Sequence, residues 1–239
     1  MHKPWKERAA SARLGLRIAI VALPLESPMI ATSHSSPGSV RFRLRDATAE
    51  AHRNVEAAMS LQQRCADRAS YRTLLADMWG IYAPLEAALA VVPWDELGID
   101  IERRAKTAWL RSDLLTLGFS NDDIAGLPRA TQIPSIHCPA DGFGALYVLE
   151  GASLGGQLIL REVKSSLGLT EIAGARFFAS YGAEVGEQWR SFTAALAAYG
   201  DSEIKVHLME RAALATFACF LDWIQERAMR LQEGASHVR

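Results

Sequence analysis

The stretch Leu146-Tyr147-Val148-Leu149-Glu150-Gly151-Ala152-Ser153-Leu154-Gly155-Gly156 decides how this chain is read. It lies in an apolar run from Gly144 to Leu169, too long for one strand and helical in character. Yet it carries Gly151, Gly155 and Gly156 close together. Each glycine inside a helix costs about 1 kcal/mol relative to alanine. A helix that accepts three of them needs its backbone close to something flat and large, or needs to bend. Gly151 and Gly155 are four apart and share a face, with Tyr147 one turn earlier on the same stripe. The spacing describes a bare helical surface with an aromatic at one end.

Outward from this segment, the pattern stays helical. Val40, Leu44, Ala47, Ala51, Val55 and Met59 recur at steps of three and four and line one helix face. Tyr71 to Val91 predicts a second helix, kinked at Pro84. Ile101 to Leu117 predicts a third, followed by a proline-punctuated connection from about Gly118 to Gly142. The glycine-bearing helix ends near Gly168. A short segment over 175–181, a helix from Ala183 to Ala198 and a last helix carrying Val206, Met209, Ala213, Phe217, Phe220 and Ile224 complete the chain. No run alternates as a strand does. The fold class is all-α, one helical domain over residues 39–239.

Residues 1–38 differ in character. Lys3, Lys6, Arg8 and Arg13 precede an apolar stretch, which leads to Ser33-His34-Ser35-Ser36-Pro37-Gly38. The order faintly resembles a secretory signal. Arg17, Pro24, Glu26 and Pro28 interrupt it, and the run from Ile18 to Leu25 is too short for a bilayer. The expectation is a flexible N-terminal extension, with Met29 as an alternative start.

The chain of 239 residues is 49% hydrophobic and 22% charged, an ordinary balance for a globular domain. A net charge of −1 gives no global signal for nucleic acid. Cys65, Cys138 and Cys219 form no pair motif, which fits a reducing, cytoplasmic setting without a membrane. Cys219 lies among Phe217, Phe220 and Leu221 and reads as core, not as an activated nucleophile. His207 and Glu210 read as a surface pair, and no second set of the Glu-x-x-His kind accompanies them.

Among six histidines, His52 and His207 fall inside strong helical patterns. His52 borders an apolar face, with Glu56 one turn on and Arg45 two turns back. Glu56 is placed to accept a hydrogen bond from one ring nitrogen. The other nitrogen is then free and more basic, as in a metal-ligating imidazole. Arg45 is placed to meet an acidic group of the same ligand. One helix thus offers an oriented histidine and a cation, and another offers a bare face. A flat iron porphyrin fits between two such surfaces.

The pattern Arg45-x-x-Thr48-x-x-x-His52-x-x-x-Glu56, joined to Leu146-Tyr147-Val148-Leu149-Glu150-Gly151 and Leu154-Gly155-Gly156-Gln157, resembles the heme oxygenase family. It looks most like the bacterial, bacteriophytochrome-associated branch. Tyr82-Ala83-Pro84-Leu85-Glu86, Asp113-Leu114-x-x-Leu117-Gly118 and Phe177-Phe178-x-x-Tyr181-Gly182 leading to Trp189 add to the likeness, which runs from about Val40 to Ala198. The resemblance implies a multi-helical bundle with heme between a proximal helix and a kinked distal helix. It implies His52 as the proximal iron ligand, hydrogen-bonded to Glu56. Gly151, Gly155 and Gly156 would form the distal wall, and Arg45, Tyr147 and Arg190 would meet the propionates. An aspartate that some members carry beside the first glycine is Ala152 here, so Ser153, water or a more distant carboxylate would handle protons. The implied reaction is O2-dependent cleavage of heme to biliverdin, CO and ferrous iron. Its electrons would come from a ferredoxin or an NAD(P)H-dependent reductase, and its biliverdin would serve a bacteriophytochrome. A non-catalytic heme sensor or carrier on the same fold is the nearest rival. It would keep His52 without needing the glycines.

Overall fold

The computed structural model describes residues 39–236. Residues 1–38 and the expectation of a flexible extension lie outside them. The described residues are built from helices, with no β-strand among them. The helices are α1 (Val40–Met59), α2 (Leu61–Arg64), α3 (Arg68–Leu89), α4 (Ile101–Arg104), α5 (Thr107–Thr116), α6 (Asn121–Ala125), α7 (Pro139–Leu167), α8 (Arg176–Ala179), α9 (Val185–Tyr199) and α10 (Glu203–Ser236). Two short 3₁₀ turns, Trp94–Leu97 and Gly182–Glu184, join them.

The glycine-bearing helix α7 is the centre. It packs against α3, α8, α9 and α10, and α10 also packs along α1. By length and composition α7 could cross a bilayer, but 78% of its apolar window is buried inside the protein. It runs uninterrupted through Gly151, Gly155 and Gly156 and stops at Gly168, whose φ of 66° ends a helix readily. A further glycine, Gly144, accounts for the close approach of α10. A Cβ there would collide with the Met209 carbonyl and the Ala212 methyl, so its absence lets α7 and α10 approach.

Pro84 does not end α3, which continues to Leu89. A proline inside a helix leaves the carbonyl four residues back without its donor. That carbonyl belongs to Gly80, and Ala130 N donates to it at 2.9 Å. Gly80 has no Cβ because the Trp223 ring and the Pro128 carbonyl occupy its place. The Gly80–Pro84 pair therefore docks α10 and the connection after α6 onto α3.

The sequence reading needs three corrections. The expected helix over Ile101–Leu117 is two helices, broken where Ala105 is extended at ψ 128°. The connection after Gly118 contains α6, begun by a capping box between Ser120 and Asp123. The central helix begins at Pro139, earlier than its apolar run suggested, with Cys138 as its N-cap and Asp141 receiving the Cys138 backbone N–H. Proline at the first helical position is favoured because its missing N–H would have no partner there.

Candidate functional site

Helices α1, α3, α7, α8 and α10 enclose an apolar cavity of about 660 Å³, its mouth included. Val55 and Met59 of α1, Met78 and Tyr82 of α3, Phe177 and Phe178 of α8, and Phe217 and Phe220 of α10 line it. From α7 come Val148, Ala152, Ser153, Gly156 and Ile159. The remaining lining residues are His52 and Lys106. The wall is overwhelmingly hydrocarbon, with four polar side chains set into it: His52, Tyr82, Lys106 and Ser153.

His52 lies on the inner face of α1, its ring 5.7 Å from that of Phe217. Its Nε2 is 3.3 Å from Glu56 Oε1, one turn on. The alignment is not that of a hydrogen bond: both atoms are buried, and neither has a hydrogen-bond partner among the described residues. Burial lowers the His52 pKa below its usual value, against the opposing pull of Glu56. The imidazole is therefore neutral at pH 7, which is the form that ligates a metal.

Across the cavity, Ser153 is also buried with its Oγ unpartnered. Unpaired buried polar atoms are rare and each costs about 1–3 kcal/mol. Two of them, from α1 and α7, face one apolar space. This is the chemistry expected where a ligand with polar or metal-binding atoms completes the site.

The three glycines divide. Gly156 lines the cavity, and a Cβ there would come within 2.9 Å of the Phe178 carbonyl oxygen. Its bareness thus serves the docking of α8, which Gln157 secures by donating to the Ala179 carbonyl at 2.9 Å. Gly151 and Gly155 are buried in α7 but are not among the lining residues. At 100° per residue, Gly155 falls about 20° outside the angular sector of Val148, Ile159 and Ala152, and Gly151 about 60° outside it.

Tyr147 and Arg45 share a neighbourhood beside the first half of α1. Tyr147 packs on Trp189 with ring centroids 5.8 Å apart. Burial pushes its phenol up to about 12, while Thr48 and the charges of Arg41 and Arg45 pull it back. Arg45 is exposed, paired with Asp46 at 2.8 Å and set over the Phe42 ring. Arg190 is exposed on α9, next to Trp189. None of these three is among the lining residues.

Sequence reasoning missed Lys106, because the expected unbroken helix over 101–117 gave no reason for its burial. It also took Phe217 and Phe220 as plain core; they are core and cavity wall at once. The Phe177-Phe178 pair was visible only as a motif. Its placement depends on Asp113, whose carboxylate accepts the Arg176 and Phe177 backbone N–H groups at 2.9 and 2.8 Å and so starts α8.

A sequence profile of the heme oxygenase family matches residues 39–226. No curated protein sequence matches the chain. Among solved structures, heme oxygenase from Neisseria meningitidis is 20% identical with a TM-score of 0.68, covering 80% of this chain and 92% of its own. Heme oxygenase from Leptospira interrogans is 18% identical with a TM-score of 0.65, covering 79% of this chain and 99% of its own. Heme oxygenase-1 from the cyanobacterium Synechocystis sp. PCC6803, solved in complex with heme, is 16% identical with a TM-score of 0.63, covering 84% of this chain and 97% of its own. The fold is an all-helical domain around an apolar cavity, with His52 on one side and the glycine-containing α7 on the other. This chain belongs to the heme oxygenase family.

Proposed function

We propose that the protein is a working heme oxygenase that cleaves heme with O2 and external electrons to biliverdin, CO and ferrous iron. One observation carries this reading. His52 Nε2 and Ser153 Oγ, both buried and unpartnered, face a single apolar cavity from two different helices. Bound heme would supply the iron that takes up O2 and the carbon that is oxidised.

The chain's own residues do the rest. His52 would hold the iron as a neutral ligand. Glu56, whose Oε1 lies 3.3 Å from Nε2, is the carboxylate that would orient the ring. Val148, Ala152 and Gly156, with Gly155 beside them, keep the α7 wall low, so small ligands fit between helix and ring. Ser153 offers a hydroxyl for a water or a small ligand there. The Phe177, Phe178, Phe217 and Phe220 rings exclude bulk water and give the macrocycle apolar contact. Arg45, with Tyr147 and Arg190, provides phenol and cations for the propionates. The electron donor is a ferredoxin or an NAD(P)H-dependent reductase. The biliverdin serves a bacteriophytochrome, in keeping with the motif likeness to that branch.

The test is anaerobic heme titration of the full chain, followed by reductant and air and chromatography of the pigment. Conversion to biliverdin is expected. A stable heme complex that reductant and air leave unchanged would make the protein a heme carrier or sensor instead.

A further inference from the structure

A second buried polar group adjoins the cavity, and nothing in the proposed binding of heme uses it. Glu150, on α7 just before Gly151, is 2% exposed. Its carboxylate accepts from Arg104 Nη1 at 2.5 Å, Lys106 Nζ at 2.6 Å and the Tyr181 hydroxyl at 2.7 Å. The break between α4 and α5 makes this set. It turns the chain so that Arg104 and Lys106, two apart, reach one carboxylate from a segment that a continuous helix would have splayed. The nearby Glu86 adds no hold on the ammonium. Its oxygens accept from the backbone N–H groups of Lys106 and Thr107 and from the Thr107 hydroxyl.

Within this cluster, Lys106 reaches the cavity lining. An ammonium has three protons to place. One goes to Glu150 and one to the Arg104 carbonyl at 3.1 Å. The third has the Tyr181 oxygen at 3.5 Å and the face of the Tyr181 ring at 5.3 Å, and Tyr181 spends its own proton on Glu150. A buried, charged donor thus stands at an apolar cavity with one proton poorly engaged. A buried ion pair is no evidence of added stability by itself, since an apolar substitute often does as well.

Resting on the heme reading above, we propose that Lys106 is the cavity's hydrogen-bond donor toward small anionic or oxygen-derived ligands of the iron, with Glu150 and Tyr181 as its positioning residues. Ala152 offers no polar atom at the corresponding turn of α7, and Ser153 brings no charge. Lys106 supplies both from the other side of the cluster, on the cavity's own lining.

The test uses the full chain reconstituted with ferric heme and titrated with fluoride, a small anion whose affinity follows hydrogen bonding at the iron. Lys106→Met leaves Glu150 with Arg104 and Tyr181, so the carboxylate is not stranded. Fluoride binding is expected to weaken about tenfold or more, the worth of one charge-assisted hydrogen bond. Heme affinity and the His52-dependent spectrum should be retained. Lys106→Gln, which keeps an N–H without the charge, should fall between and is the variant to read if Lys106→Met does not fold. Fluoride affinity unchanged in the folded variants overturns the proposal, whatever happens to their melting temperature. Failure of the unaltered chain to bind heme through His52 would instead sink the functional reading and leave the fluoride test without an object.

Discussion

Two buried polar sites on α3 and its neighbours make opposite bargains. At Asp77 everything is paired: its carboxylate takes Arg64 at 2.5 Å and Arg227 at 2.7 Å, and its carbonyl takes the Trp223 ring N–H at 2.8 Å. A few turns away the cavity holds His52 and Ser153 with polar atoms unpaired. Both sites are buried, so burial alone does not separate them. Satisfaction does. The paired site ties α2, α3 and α10 together, while the other turns its polar atoms toward an apolar cavity.

The sharpest way to break this contrast is a pair of substitutions. His52→Ala is expected to abolish iron ligation and biliverdin formation while leaving unfolding free energy within about 1 kcal/mol of the unaltered chain. Absorption spectra and denaturant titration read the two effects. Normal turnover in that variant would remove His52 from its role. Asp77→Ala should do the reverse. It strands two largely buried guanidinium groups and is expected to lower stability by about 3 kcal/mol, with the spectrum of the surviving heme complex unchanged. A stability loss below about 1 kcal/mol would mean that the network is ornamental.

A smaller effect is expected from pH. Burial raises the Asp113 pKa to about 6 from its usual value near 3.8, against the two backbone N–H bonds it accepts. Between those values the folded chain holds more protons than the unfolded one. This contribution to stability is therefore present at acid pH and is lost as pH rises through about 6, then stays flat. Asp113→Asn should remove that slope from the difference in melting temperature between the two chains. An identical pH profile would contradict it. The smallest change is Ser153→Ala. Deleting an unpaired buried hydroxyl should leave stability unchanged or raise it by about 1 kcal/mol. The same variant should alter the rate or isomer composition of the pigment. A clear loss of stability would mean that the hydroxyl has a partner after all.

The fold was legible where one face of a helix repeats. Val40 to Met59 gave α1 to its ends, and Gly168 marked the stop of α7. It was illegible where long-range partners override local pattern. Nothing near Ala105 announces a break, because its reason, Glu150, lies far along the chain. Pro139 was hidden because a proline also marks loops. In the cavity wall, His52 stood out from its own surroundings in sequence, while Ser153 and Gly156 were singled out through the family likeness. Lys106 and Phe177-Phe178 were not readable locally, since each is placed by a carboxylate on another helix.

The central position of α7 carries one more consequence. The same helix forms the wall of the cavity and the keel on which α3, α8, α9 and α10 are assembled. Drift in its inward-facing residues is therefore coupled to whether the protein folds at all. Substitutions are better tolerated at the margins: the α8 phenylalanines and the short segment around Lys106. Divergence within such a lineage should concentrate there, with α7 as the slow-changing axis.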